Sequence, residues 1–71
     1  MPMTPKQMVK FLKKNGFHFV SQTGSHAKYR NDHTNRVTLV PMHNKDLKKG
    51  MERTILKQAG LLEKEWFYSL L

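Results

Sequence analysis

A chain of 71 residues with 13 Lys plus Arg, 5 Asp plus Glu and no cysteine has room for one domain over residues 1–71 and for little internal cavity, since domains of this size bury only roughly 60% of their unfolded surface. The missing cysteines exclude disulfides, thiolate zinc sites and thiol nucleophiles together, and no apolar run approaches the roughly 18 residues that cross a bilayer. A formal charge of +8 marks a protein attracted to nucleic acid or another anionic surface, not an acidic or lipid-buried one.

In chain order, Thr4-Pro5-Lys6-Gln7 is a helix start: Thr4 is a capping residue, Pro5 suits the first turn, and T-x-x-Q is a capping box. A helix is predicted over Pro5–Lys14. Met8, Val9, Phe11 and Leu12 form its buried stripe, Lys6, Lys10, Lys13 and Lys14 its wet faces, and Asn15-Gly16 a left-handed stop. Those lysines are either a phosphate-binding surface or an ordinary solvated face. Phe17–Gln22 alternates as a strand, with Phe17 and Phe19 on one side and His18 and Val20 on the other. Thr23-Gly24 is the expected turn, Ser25–Arg30 the second strand and Asn31–Asn35 a polar turn. Arg36–Val40 is the third strand, β-branched at Val37, Thr38 and Val40, and Pro41 ends the antiparallel meander. Asn44 or Asp46 can start a turn or short helical piece through Leu47. Gly50–Ala59 reads as a helix with Met51, Ile55, Leu56 and Ala59 as its stripe and Gly60 as its stop. Leu62–Leu71 is either a short last helix or a loosely docked tail. Its Trp66, Phe67, Tyr68, Leu70 and Leu71 either close the core or recruit a partner. The order α-β-β-β-α puts both helices on one face of a three-stranded antiparallel sheet and leaves the other open, an α+β arrangement of double-stranded-RNA-binding type.

The stretch from Val20 to Asn31 carries the chemistry. Along a strand, His26, Lys28 and Arg30 emerge on one side and Ser25, Ala27 and Tyr29 on the other. An imidazole beside two cations suits a polyanion, because it exchanges a proton near neutral pH while Lys and Arg hold phosphates. RNA brings its own nucleophile, the 2′-hydroxyl; an enzyme has to take its proton, protonate the departing 5′-oxygen and offset transition-state charge. Histidine and cations suffice. The four histidines at positions 18, 26, 33 and 43 lack the i, i+4 pairing of a helical metal site, so neither metal nor cofactor is expected. His43, just past the third strand, is a second acid/base, a phosphate donor or a loop cap. His18 reads as sheet surface, His33 as a solvated turn residue and Tyr29 as a ring packed under the helices. An RNA-binding module without turnover fits the same residues.

Several short motifs in sequence also carry a resemblance. Asn15-Gly16-Phe17 follows the first helix, Gly24-Ser25-His26 opens the second strand, and V-P-M-H spans Val40 to His43. L-K-K-G follows at Leu47 to Gly50 and I-L-K-Q-A-G-L at Ile55 to Leu61. In order and spacing the chain resembles the HicA toxins, small RNA-cleaving proteins of bacterial toxin–antitoxin pairs, over nearly its whole length. The resemblance implies a double-stranded-RNA-binding-like fold and mRNA cleavage with the G-S-H histidine, here His26, as the catalytic residue. Gly24, Ser25, Lys28, Arg30 and His43 are then the expected RNA contacts. It also implies a HicB-type antitoxin that masks the site. Members often carry a second His directly after the first. Ala27 stands there in this chain, so a partner for His26 has to come from elsewhere. Charges at the N-terminus, where a signal peptide has its apolar region, fit a cytoplasmic protein.

Overall fold

A computed structural model describes residues 3–43 and 45–62; the expectations for Asn44 and for the tail from 63 to 71 lie outside the described residues. Helix α1 runs over Pro5–Lys14. The capping box is formed: Thr4 Oγ1 accepts the Gln7 N–H at 3.1 Å and Gln7 Oε1 accepts the Thr4 N–H at 2.9 Å, so two donors that a helix start leaves orphaned are satisfied reciprocally. The chain leaves the helix through Gly16 at φ +89°, a conformation that favours glycine. Met8 and Leu12 are fully buried, while Val9 and Phe11 pack against the core from its margin.

Strands β1 (Phe17–Thr23), β2 (His26–Asn31) and β3 (Arg36–Pro41) form one antiparallel sheet with β2 in the middle. The first hairpin turns at Gly24-Ser25, one residue later than composition suggested. Thr23 pairs with His26 and Gly24 takes φ +59°, the left-handed step that a two-residue hairpin loop needs at its first position. Burial alternates along β2: Ala27, Tyr29 and Asn31 point into the core and His26, Lys28 and Arg30 away from it. Across the pair, Ala27 faces Val40 and Tyr29 faces Thr38, and all four are buried. Asn31 closes the far end. Its Nδ2 donates to Asn15 O, and its Oδ1 accepts from the backbone of His33 and Thr34. One buried amide thus joins the end of α1 to the β2–β3 turn.

Helix α2 (Lys49–Gln58) starts one residue earlier than expected, after Lys48, which makes no side-chain cap. Ile55, Leu56 and Ala59 are buried as predicted. Met51 is not: it is 41% exposed. The core at that end is filled instead by Leu47, whose N–H donates to Met3 O. Among the described residues, the segment ahead of α2 is turn and bend with no helical piece. The Met3 N–H in turn donates to Glu52 Oε2 at 2.7 Å. The Thr38 hydroxyl, buried in β3, donates to Gln58 Oε1 at 2.8 Å and lies 3.2 Å from Ile55 O, which pins α2 to the sheet. Both helices therefore share the core with the inner face of the sheet, and the outer face is uncovered by them.

Candidate functional site

The outer face is set by the register of β1 on β2. Phe19 pairs with Tyr29 but Ser21 pairs with Lys28, so Val20 is an extra residue on β1. A bulge of this kind reverses the alternation beyond it. Plain alternation from Phe17 and Phe19 would send Ser21 and Thr23 inward; with the bulge, Ser21 and Thr23 stand opposite Lys28 and His26 on the outer face. Phe19 stays on the inner side at the edge, its ring edge-on to Tyr29 with centroids 5.8 Å apart. Tyr29 is packed in the core as expected, and burial raises its phenol above the ordinary value.

His26 is the first residue of β2, exposed, directly after the Gly24-Ser25 turn. Opposite it on β3 stands Pro41. The pairing continues past the strand, because the Met42 N–H donates to Ser25 O at 2.7 Å. The chain is thereby held against the turn for one more residue, and His43 arrives beside His26. The two imidazole centroids are 6.1 Å apart with the ring planes at 82°. His43 therefore borders the same space as His26. Nothing lies within 4 Å of the position a side chain would take at Gly24, and His26 itself is exposed.

Lys28 lies two residues along β2, about 6.6 Å from His26 at strand spacing, and Arg30 about 13 Å away. Both emerge on the expected side. Arg30, however, faces a carboxylate: its Nε is 3.1 Å from Asp32 Oδ1, while Asp32 Oδ2 is 3.0 Å from His18 Nε2. The His18 hydrogen bond, with Arg30 adding to it, holds the Asp32 carboxyl below the usual carboxylate range. The outer face thus has two unlike ends. One carries His26, His43, Thr23, Ser21 and Lys28, and the other a cation already answered by an anion. Asp32 was not singled out by sequence reasoning, although Arg30 and Asp32 stand two residues apart at a turn, where such a pair readily meets. Opposite Lys28 and Arg30 on β3 stand Leu39 and Val37, each about two-fifths exposed, which adds apolar surface to this basic face. Lys6, Lys10, Lys13 and Lys14 are exposed on α1, in the helix layer on the other side of the sheet. His33 is exposed in the turn.

Among the described residues, no three His, Asp or Glu side chains come together as a metal site, and no helix is long and apolar enough to cross a membrane. No curated protein matches the sequence. The family described as the HicA toxin of bacterial toxin–antitoxin pairs matches residues 5–61, a span that begins with α1, includes the Gly24-Ser25-His26 turn and V-P-M-H, and ends just after α2. The chain therefore belongs to the HicA toxin family and is the toxin of a bacterial toxin–antitoxin pair, a role that implies a cognate antitoxin.

Proposed function

We propose that the protein is a metal-independent endoribonuclease that cleaves mRNA at His26, and that a HicB-type antitoxin inhibits it by covering the same face. The observation that carries this reading is the placement of His26: an exposed imidazole after the Gly24-Ser25 turn, on the sheet face away from both helices, with Lys28 on the same side. The 2′-hydroxyl of RNA supplies the nucleophile, so proton transfer and charge stabilisation are all the protein has to provide. An imidazole exchanges that proton near neutral pH. Lys28 holds the adjacent phosphate. The flat, basic, partly apolar face that suits a phosphate backbone also suits an acidic protein. Opposite charge speeds and steers such an encounter, and RNA and antitoxin compete for one surface.

The test is cleavage of RNA by purified protein, beside the His26→Ala variant and in excess chelator. Loss of cleavage and of cellular toxicity in a folded His26→Ala protein, with chelator tolerated, is the expected result. Retained cleavage by that variant would remove His26 from the chemistry. RNA binding without turnover by the unmodified protein would instead identify a binding module.

A further inference from the structure

His26 by itself can serve one end of the cleavage. Breaking a phosphodiester by attack of the 2′-hydroxyl moves two protons: one leaves O2′ as the O2′–P bond forms, and one reaches O5′ as the P–O5′ bond breaks. The products are a 2′,3′-cyclic phosphate and a free 5′-hydroxyl. A second proton-transfer group has to stand within reach of the same phosphorus, and the residue next in sequence cannot supply it. Ala27 is 1% exposed and points into the core, on the opposite side of the sheet from His26. His18 lies at the far end of the face against Asp32, and Tyr29 is buried among the core side chains.

We propose that His43 is that second group, so that His26 and His43 act as a general base and general acid pair across one phosphodiester. This rests on the reading of the protein as a His26 ribonuclease. General acids and bases act over about 2.6–3.2 Å, and ring centroids 6.1 Å apart make the two imidazoles border one space in which a phosphate can meet both. Each imidazole then meets a different oxygen of a single phosphate between them. At 82° the rings are not stacked, so each can turn a ring nitrogen toward its own oxygen. The arrangement is fixed by backbone: the Met42 N–H bond to Ser25 O ties the segment carrying His43 to the turn that carries His26. One neutral imidazole takes the O2′ proton. The other, protonated at the start, gives its proton to O5′, and proton exchange with water restores the starting state of the pair before the next turnover.

The experiment compares unmodified protein, His26→Ala, His43→Ala and His43→Gln on ordinary RNA and on RNA whose scissile 5′-oxygen is replaced by sulfur, a leaving group that needs no proton. On ordinary RNA the unmodified protein should show a bell-shaped pH profile. Each His43 variant should fall by roughly 10²–10⁴-fold and lose one limb of the bell. On the sulfur substrate, the deficit of one of the two alanine variants should largely disappear and that of the other persist. His43 is exposed, and matching circular dichroism and melting would establish that its variants are folded. Full activity with both limbs intact in the His43 variants would overturn the proposal, as would rescue of both alanine variants or of neither. Failure of the unmodified protein to cleave would instead overturn the ribonuclease reading from which the proposal starts.

Discussion

Removing a negative charge from the outer face should strengthen RNA binding, and by an amount the ion pairs set. Asp32 makes two close contacts, to His18 and to Arg30. Lys28 is in neither. Each phosphate contact on single-stranded RNA contributes about 0.7 to the slope of log K against log salt. Between 50 mM and 200 mM salt, one contact therefore changes the loss of affinity about 2.6-fold. In a His26→Ala background, which keeps the RNA intact, Lys28→Ala should flatten the slope by about 0.7. Arg30→Ala should flatten it by a small fraction of that, because Asp32 already takes the place of a phosphate at its guanidinium. Asp32→Asn, which keeps the shape and removes the charge, should steepen the slope by up to about 0.7. Arg30→Ala introduced on top of it should then cost as much as Lys28→Ala. The assay is fluorescence anisotropy with a labelled single-stranded RNA across a salt series. If Arg30→Ala flattened the slope as much as Lys28→Ala with Asp32 in place, or if Asp32→Asn left it unchanged, the division of the face into a free and an answered cation would be wrong.

Ile55→Ala should lose about 2–5 kcal/mol in chemical denaturation, since Ile55 is fully buried and truncation leaves a cavity. A 71-residue domain has about 4–11 kcal/mol in all, so a loss below about 1 kcal/mol would mean the core does not close on α2. Gly24→Ala should cost about 1–2 kcal/mol from its left-handed backbone alone, because the space around it is empty; a variant as stable as the parent by thermal melting would place the turn elsewhere. Burial raises the Tyr29 phenol above its ordinary value of 10.0, so folding favours its neutral form. The stability this gives is fully present below pH 10 and is lost as pH rises through the folded value. Melts between pH 8 and 11 should therefore show a steeper alkaline decline for the parent than for Tyr29→Phe, and equal declines would contradict the burial of that hydroxyl.

What could be read from the sequence was what neighbouring residues decide among themselves. The Thr4–Gln7 capping box, the stop at Gly16, the alternation of β2 and the facing of His26 and Lys28 all depend on residues within a few positions of one another, and all are in the fold. What was less legible depends on pairing between distant segments. The bulge at Val20 is a property of β1 measured against β2, and the sequence V-S-Q carries no signal for it. Met51 is exposed while Leu47, from the segment ahead of α2, is buried, a choice the helix's own pattern does not encode. The Thr38 hydroxyl looked like a β-branched strand residue because its partners, Gln58 and Ile55, are on another element. Asn31 looked like the start of a polar turn, yet it is buried because the end of α1 lies on it. His43 stayed ambiguous because its place beside His26 requires the β2–β3 register to carry on through Ser25 and Met42.

The same register argument gives the outer face a direction. His26, His43 and Lys28 fall at the end where β1 turns into β2 and β3 leaves the sheet, and the Arg30–Asp32–His18 cluster falls at the end where β2 turns into β3. A polyanion laid along β2 meets an unanswered cation at the first end and a compensated one at the second, so the potential draws its phosphates toward the histidines. Two imidazoles stand at that end, whereas the one opposite Arg30, His18, is held against Asp32, so the chemistry and the attraction coincide at one end of the face. An acidic antitoxin of the proposed kind would be drawn to the same end by the same charges. The residue most useful for RNA affinity, Lys28, is then also the one whose loss should slow association with the antitoxin.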